Sequence, residues 1–496
     1  MSPDGGRLLG GQMKILHIAT EMYPICKAGG LGDVIGALAK EQVRQGDHVC
    51  VALPYYHFLQ LKKATLLGPI HFGASDLRLE AWLSEEEGCQ ILLIQDKSPS
   101  QFFERGEIYG EHDDTSRFCC FSSAVMHVLR QRKELIPDVI HLHDWPASFA
   151  AMFNALEEFE SVSFIFTIHN PETQGTISLS TLAYFCVPLD EALACSQQVN
   201  GMAEAIKRTD FVTTVSPRYG SEIQEEPAGK GLAHLFRERT SEGCFHGILN
   251  GLDLEVWNPA TDRYLLAQYG KETLSFTSGP RVSQKEKNFR FVVEKLGLSW
   301  RPEQPFACSI SRLCWQKGID LIEIAARWIV EQGGTFVCLG MAYEEGIKRQ
   351  MEALDQGLRP FGCCILEKNE ELVHQLLGGS DLFLMPSLFE PCGLTQMMAL
   401  RYGSLPIVRC TGGLADTVFD LDFSDQPKEK RNGFVFMDPN QEGVLSAVKR
   451  SFEKWRDPSN WRQAIRQAIH FKRGWEEAAS QFYALYRNRM GSLLRD

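Results

Sequence analysis

Short runs of β-branched and aromatic residues alternate along the chain with longer segments whose apolar residues recur at helical spacing. This alternation is typical of βαβ units around a parallel sheet. The runs predicted as strands are 13–19, 48–54, 89–95, 138–144, 163–169 and 211–216 in the first half, and 305–311, 335–341, 363–367, 381–387 and 405–410 in the second. The pattern therefore predicts an α/β protein with two doubly wound domains.

A change of pattern between the two halves indicates a domain boundary. Periodicity is lost over 250–265, where Asn-Gly and Asn-Pro pairs are typical of a connector. The predicted order is an extension at 1–12, expected to be disordered, an N-terminal Rossmann-like domain at 13–249, a linker at 250–265, a C-terminal Rossmann-like domain at 266–470 and a helix at 471–496. Doubly wound sheets bind ligands at the carboxyl ends of their strands, so two facing domains would share a cleft.

Composition excludes several classes of protein. With 51 Lys and Arg against 63 Asp and Glu, the net charge of −12 argues against a broad nucleic-acid-binding surface. The sequence has no apolar run of about eighteen residues, so no membrane helix is expected. Fifteen cysteines without a CxxC pair fit reduced thiols better than disulfides or a structural zinc site. We therefore expect a cytoplasmic protein without a structural zinc.

The segment CKAGGLGDV (26–34) lies between the first strand and a predicted helix. Glycines let a ligand approach the backbone, the helix start directs N–H groups toward it, and Lys27 adds a positive charge. This combination favours a phosphate. The spacing matches neither the Walker loop nor GxGxxG. A tight Gly-rich turn without a ligand is the alternative interpretation.

Two segments of the second half carry charged residues near predicted helix starts. In SRLCWQKG (311–318), Arg312 and Lys317 could converge on a diphosphate, although surface cations are more often only solvated. In PSLFEPCGLTQ (386–396), Glu390 could accept hydrogen bonds from sugar hydroxyls, or could merely cap the helix.

Two further segments put polar residues at strand ends. HLHDW (141–145) and TIHN (167–170) offer side chains that can bind hydroxyls, although a lone histidine there is more often structural. The segment TGGLADTV (411–418) is another Gly-rich turn ahead of a predicted helix, but by itself it is weak evidence for a binding site.

In this order, the motifs KAGGLGDV, HDW, TIHN, NGLD, SRLCWQKG and FEPCGLTQ closely resemble the bacterial glycogen synthase and plant starch synthase family. The resemblance runs from about Met13 to the C-terminal helices. It implies the GT-B fold, with an acceptor-side N-terminal domain, a donor-side C-terminal domain, a cleft between them and a last helix that crosses back to the N-terminal domain. It also implies retaining transfer of glucose from a nucleotide sugar, usually ADP-glucose, to the non-reducing 4-hydroxyl of an α-1,4-glucan such as glycogen. No tightly bound metal or cofactor is implied.

The resemblance also assigns roles to individual residues. Lys27 would bind donor phosphate, and Arg312 with Lys317 would neutralise the diphosphate as the bond to glucose breaks. The backbone carbonyl of His169 would face the anomeric carbon and its side chain the sugar 6-hydroxyl, while Glu390 would hold the 3- and 4-hydroxyls. The remaining residues implied are Gly29, Gly30, Asp33, Cys392, Gly393, Leu394 and Thr395 for the donor, and Asp144, Asn170 and Asn250 for glucose or acceptor.

Two departures from the family pattern leave points open. After TIHN the chain keeps Gln174 and Gly175 but lacks the usual aromatic residue before them, so acceptor placement could differ. Many related enzymes hold the ribose with a second Glu where this chain has Met398, which leaves ADP-glucose and UDP-glucose both open as donors.

Two other functions are compatible with a fold of this class. A glucan phosphorylase shares the fold class, but the sequence offers no context for its pyridoxal phosphate lysine. A degenerate glucan-binding or regulatory protein is the second alternative, and the intact Lys27, His169, Arg312, Lys317 and Glu390 argue against it. No motif nominates a carboxylate nucleophile for a double displacement. The family resemblance implies a same-face mechanism instead, in which the leaving phosphate assists deprotonation of the incoming hydroxyl.

Overall fold

The computed structural model describes residues 12–59, 61, 63–72, 76–194 and 196–493. The chain forms two compact units, the first comprising 1–251 and 475–496 and the second 252–474. The extension expected to be disordered lies, except for Gln12, outside the described residues. Residues 252–265 of the predicted linker belong to the second unit.

The first unit is built on a sheet in which nine strands are described. Its strand order is β11-β10-β7-β6-β1-β2-β5-β4-β3, and β8 pairs separately with β9. The strands are β1 (Lys14–Ile18), β2 (His48–Pro54), β3 (Ala64–Ile70), β4 (Leu79–Glu86), β5 (Cys89–Asp96), β6 (Val139–His143), β7 (Ser163–Ile168), β8 (Thr176–Ser178), β9 (Gln198–Asn200), β10 (Phe211–Thr214) and β11 (Phe245–Gly247). Their helices in the same part of the chain are α1 (Gly30–Arg44), α2 (Asp114–Gln131), α3 (Asp144–Ala147), α4 (Leu179–Tyr184), α5 (Glu191–Ala194), α6 (Gly201–Arg208), α7 (Pro217–Glu222) and α8 (Ala233–Ser241).

Strands β6 and β7, next to the middle of this sheet, are parallel to each other and buried along their whole length. Every residue of β6 and β7 is buried, as expected for strands with helices on both faces. The register aligns His17 with His141 and His143 with Thr167. The carboxyl ends of β1, β6 and β7 therefore lie side by side at one edge of the sheet.

The second unit has a six-stranded sheet that is parallel throughout its described pairs, in the order β14-β13-β12-β15-β16-β17. Its strands are β12 (Phe306–Ile310), β13 (Thr335–Leu339), β14 (Gly362–Ile365), β15 (Leu382–Met385), β16 (Leu405–Arg409) and β17 (Phe434–Phe436). Its helices are α9 (Ser283–Lys295), α10 (Ile319–Glu331), α11 (Glu345–Leu358), α12 (Glu370–Gly379), α13 (Thr395–Arg401), α14 (Gly412–Thr417), α15 (Gln441–Trp455) and α16 (Pro458–Ile469).

The last helix, α17 (Trp475–Leu493), belongs to the first unit. Its buried residues Trp475, Phe482 and Tyr486 share a hydrophobic cluster with residues of β1, α1 and β7, among them Ile15 and Leu38. Burial of aromatic side chains at this scale is a major stabilising term. The first unit therefore needs the end of the chain to complete its core. Within the described ranges, no helix has the length and apolar character needed to span a bilayer.

Candidate active site

The glycine loop of the first unit is organised by a buried carboxylate that precedes it. Glu21 Oε2 accepts hydrogen bonds from the backbone amides of Ala28 at 2.6 Å and Gly29 at 2.7 Å. Glu21 Oε1 accepts one from the Tyr109 hydroxyl at 2.9 Å. The amide of Gly29 is therefore engaged within the protein, so an anion at this loop would rely on Lys27 and the start of α1.

Lys27 is positioned by the first turn of α1. Its Nζ lies 2.7 Å from Asp33 Oδ1, and the Lys27 side chain is 35% exposed. The ammonium also lies 5.5 Å from the centre of the Tyr23 ring. Asp33 thus orients Lys27, and the charge of the lysine stays accessible from solvent.

Glycines of this loop and of helix α1 serve different purposes. A Cβ on Gly36 would lie 2.2 Å from the Tyr23 carbonyl oxygen, so this glycine allows the helix to pack against the loop. A Cβ on Gly29 would meet no described atom within 4 Å, and its φ of −143° suits any residue. Gly29 therefore borders open space, as a ligand-facing position would.

His169 and Asn170 follow β7, beside the end of β6. The carboxylate of Asp144 accepts hydrogen bonds from the backbone amides of Asn170, His169 and Trp145, which ties the two strand ends together. Burial raises the pKa of Asp144 to about 7. Asp144 has φ of 61°, in the left-handed region that non-glycine residues seldom adopt. Asp144 therefore acts on the backbone that carries His169.

Three buried histidines lie behind His169. The ligand atoms of His17, His141 and His143 all lie within 4.8 Å of one another, and these residues form the candidate metal group among the described residues. Both nitrogens of His17 already have hydrogen-bond partners, as do both nitrogens of the other two rings. A metal would therefore have to displace hydrogen bonds that the fold has formed.

The second unit holds a buried ion pair between two of the residues singled out by sequence. Lys317 Nζ lies 2.6 Å from Glu390 Oε2, with the two side chains 12% and 7% exposed. The Ser387 hydroxyl donates to the same carboxylate oxygen at 2.9 Å. Glu390 is therefore held by Lys317 and Ser387, and the structure gives it this role rather than that of a helix cap.

Arg312 stands in the same loop as Lys317, after β12. It is exposed, and no hydrogen bond or ion pair joins it to another described residue. A guanidinium with all its donors available can bind a phosphate in bidentate fashion. Arg312 is thus the readily available cation of this loop.

Two glycines pack the EPCGL loop against the start of α14. Because a Cβ on Gly412 would lie 1.9 Å from the Glu390 carbonyl oxygen, and one on Gly413 2.1 Å from that of Cys392, these positions admit only glycine. Gly393 has φ of 72°, and the Gln396 amide donates to its carbonyl at 2.9 Å. The TGGLADTV motif therefore shapes the loop that carries Glu390.

The remaining predicted residues lie in these loops or, for Asn250, in the segment after β11. Asn170 Oδ1 accepts a hydrogen bond from the Glu172 amide at 3.0 Å, and Asn250 is buried after β11. Gly30 begins α1, and Cys392, Leu394 and Thr395 surround the start of α13. Each unit by itself thus gathers its own set of predicted residues at strand ends.

The altered segment after Asn170 has a structural explanation. The Gln174 amide donates to the carbonyls of Pro171 at 3.1 Å and Lys230 at 2.9 Å. A Cβ on Gly175 would come within 3.1 Å of the Trp145 and Phe149 rings. The retained Gln-Gly pair therefore closes the loop on its neighbours without the aromatic residue.

Sequence reasoning missed Glu21 and Ser387. Glu21 is a carboxylate three residues after β1, and Ser387 comes two residues after β15. A polar side chain so soon after a buried strand is the signal that could have found both.

Comparisons with known proteins agree with this architecture. The family model of the starch synthase catalytic domain matches residues 14–238, and that of the group 1 glycosyl transferases matches 295–468. The chain is 36% identical to the glycogen synthase of Protochlamydia amoebophila, over 96% of this chain and 99% of that protein. It is 37% identical to the probable starch synthase 4 of Arabidopsis thaliana, over 95% of this chain, and spans 46% of that longer protein.

Solved structures give the same result. The catalytic domain of starch synthase IV from Arabidopsis thaliana, bound to ADP and acarbose, matches with a TM-score of 0.89 and 36% identity over 97% of this chain and all of that one. Sucrose-phosphate synthase from Thermosynechococcus elongatus matches with a TM-score of 0.61 over 97% of this chain and all of that one, and at 18% identity it supports the fold alone.

Two α/β units with charged loops at their strand ends, matched over both halves by these families, define a glycosyltransferase with the GT-B fold. The chain belongs to the family of bacterial glycogen synthases and plant starch synthases. The fold class and the family resemblance predicted from the sequence are therefore confirmed.

Proposed function

We propose that this enzyme transfers glucose, with retention of configuration, from ADP-glucose to the non-reducing 4-hydroxyl of an α-1,4-glucan such as glycogen. The observation that carries the proposal is the buried pair of Lys317 and Glu390, 2.6 Å apart, together with Arg312, which has no partner among the described residues. The pair puts a cation suited to phosphate next to a carboxylate suited to sugar hydroxyls, as recognition of a sugar joined to a diphosphate requires.

Cations provide the main catalytic effect in this proposal. As the bond between glucose and the diphosphate breaks, negative charge grows on the leaving phosphate and positive charge on the sugar. Arg312 and Lys317 from the second unit, with Lys27 from the first, would stabilise the departing diphosphate. The amides around Cys392, Gly393, Leu394 and Thr395 would complete the donor cradle.

His169 acts as a neutral group in this scheme. Burial lowers its pKa to about 3, so the imidazole carries no charge at neutral pH. It therefore cannot serve as an imidazolium acid there. Its backbone carbonyl would face the anomeric carbon and its ring would contact the sugar.

Retention follows from a same-face reaction. A double displacement needs an ionised carboxylate beneath the anomeric carbon. The carboxylate of Asp144, beside His169, already accepts hydrogen bonds from three backbone amides, and burial raises its pKa to about 7. It is poorly suited as a nucleophile, which favours deprotonation of the incoming hydroxyl by the leaving phosphate. Asp144, Asn170 and Asn250 would then shape the glucose and acceptor site.

The choice of nucleotide is testable by comparing initial rates with ADP-glucose and UDP-glucose on glycogen. The ADP in the similar Arabidopsis structure supports a faster rate with ADP-glucose. A faster rate with UDP-glucose would overturn the donor assignment. Failure of both donors, with glycogen binding retained, would favour the glucan-binding alternative.

A further inference from the structure

A line of hydrogen bonds runs from His169 into the core of the first unit. His169 Nε2 lies 3.3 Å from His143 Nδ1, and His143 Nε2 lies 2.9 Å from His17 Nδ1. His17 Nε2 lies 2.7 Å from Gln42 Oε1. The three inner residues are 0% exposed, so no solvent competes for these bonds. We name this line, His169–His143–His17–Gln42, the histidine relay.

Each ring of the relay carries a single proton. Burial lowers the pKa of His17 to about 4 and that of His143 well below its ordinary value. A neutral imidazole has one nitrogen that donates and one that accepts. Because each bond needs one donor and one acceptor, the tautomer of any ring determines the tautomer of the next.

Gln42 determines which nitrogen of each histidine in the relay carries the proton. Its carbonyl oxygen can only accept, so His17 carries its proton on Nε2 and accepts at Nδ1. His143 must then donate from Nε2 and accept at Nδ1, and His169 must donate from Nε2. The Nδ1 of His169 is left as a bare acceptor.

A second set of contacts holds the Gln42 amide in this orientation. Gln42 Nε2 donates to the Tyr486 hydroxyl at 3.3 Å, and that hydroxyl lies 2.8 Å from His141 Nδ1. His141 Nε2 lies 2.6 Å from Thr167 Oγ1. The Tyr486 hydroxyl can accept a hydrogen bond from the Gln42 amide and donate one to His141 Nδ1. Every bond along this branch therefore also has one donor and one acceptor.

We propose that Gln42 is a positioning residue that, through the histidine relay, fixes His169 in the tautomer whose Nδ1 accepts a hydrogen bond from a hydroxyl of the transferred sugar. His169 is half-buried, and its Nδ1 has no hydrogen-bond partner among the described residues. The role of this nitrogen toward sugar rests on the proposed function, where His169 contacts the donor glucose at its 6-hydroxyl. In the opposite tautomer Nδ1 carries the proton, so it could not accept a hydrogen bond from that hydroxyl.

Tautomers can be read directly by nuclear magnetic resonance of ¹⁵N-histidine-labelled protein, with long-range proton–nitrogen correlations. In the wild type we expect His17, His143 and His169 all to carry the proton on Nε2. Gln42→Glu keeps an acceptor at the end of the relay and should preserve that tautomer. Gln42→Leu removes the acceptor and should give mixed tautomers at His169. A wild-type His169 protonated on Nδ1, or an unchanged tautomer in Gln42→Leu, would overturn the proposal.

Kinetics with ADP-glucose and ADP-6-deoxyglucose test what the relay does for the sugar. Gln42→Leu should lower kcat/KM for ADP-glucose by roughly tenfold, the loss expected for one hydrogen bond, with little change for the 6-deoxy donor. Gln42→Glu should recover most of that loss. Gln45→Leu, an exposed site at the end of the same helix, is the matched control and should leave both values unchanged.

A second variant that interrupts the relay keeps the proposal testable if Gln42→Leu fails to fold. His17→Phe replaces the middle ring with one of similar shape and should reproduce the selective loss with ADP-glucose. Equal losses with both donors in either folded variant would overturn the proposal. If the wild type transferred no glucose from ADP-glucose, the proposed function would fail, and a His169 protonated on Nε2 would still establish the relay.

Discussion

The charged residues of the candidate site are mostly paired within their own unit. Lys27 contacts Asp33, and Lys317 contacts Glu390, each at 2.7 Å or less. Such pairs hold a side chain near its working position, which reduces the entropy lost when a ligand binds. Arg312, which has no partner among the described residues, would be ordered by the ligand itself.

Replacing Lys317 tests whether its ammonium stabilises the leaving phosphate. We expect Lys317→Ala to lower the turnover number by well over tenfold, because one contact to the leaving phosphate is lost. The change also leaves the Glu390 carboxylate buried without its cation, which costs stability. Steady-state rates and thermal unfolding measure the two effects separately.

The double variant Lys317→Ala/Glu390→Gln distinguishes them. It should recover stability without recovering turnover, and the exposed Lys348→Ala should match the wild type in both. Near-normal turnover in folded Lys317→Ala would reject the catalytic role of the lysine.

Two glycines of the first unit provide a matched pair. Gly29→Ala should fold normally, since no described atom lies within 4 Å of the added methyl group, yet should raise KM for ADP-glucose if the donor approaches this point. Gly36→Ala should cost about 1–3 kcal/mol of stability, because the methyl group would lie 2.2 Å from a carbonyl oxygen. The measurements are initial rates and urea unfolding. An unchanged KM in Gly29→Ala would argue against a ligand at this loop.

At the scale of elements, helix α9 carries a lysine that the mechanism does not use. Lys285 is 0% exposed, and its ammonium donates to the carbonyls of Leu377 at 3.0 Å and Tyr402 at 2.8 Å. Burial lowers its pKa to about 7. The helix is therefore fastened to its neighbours by a group whose charge is costly to bury.

This lysine should give the protein a pH-dependent stability. Between pH 7 and 10.5 the unfolded chain keeps the proton that the folded protein has lost, so the contribution of Lys285 to the free energy of unfolding rises with pH. Below pH 7 both states are protonated and the cost of burying the charge is fully present. Urea unfolding of the wild type and Lys285→Met across this range measures the difference. Equal pH slopes for the two proteins would contradict the prediction.

Parallel strands were the elements that the sequence predicted best. The bounds of β2 agree with the predicted 48–54, and β7 differs from the predicted 163–169 by one residue. Strands buried on both faces need continuous apolar runs, which makes them visible. The edge strand β3 was missed because only its last residue, Ile70, is buried and because it contains Gly68 and Pro69.

The site was predictable only where a motif is local. Lys27 and Asp33 are six residues apart in one motif, so the sequence singled out both residues, although it did not predict their ion pair. Glu21 accepts a hydrogen bond from Tyr109, and the histidine relay ends at Gln42. Only the folded structure brings these residues together. Spacing along the chain carries no information about such contacts.

At the scale of the whole molecule, the proposed function requires that cations of both units bind one diphosphate. Lys27 belongs to the first unit and Arg312 to the second. The most direct measurement is the affinity for ADP, by titration calorimetry, of the wild type, Lys27→Ala and Arg312→Ala, with AMP as the control ligand. Each substitution should weaken ADP binding by about tenfold or more, the loss expected for a charged hydrogen bond, with a smaller effect on AMP. Wild-type affinity for ADP in either folded variant would contradict the shared diphosphate site.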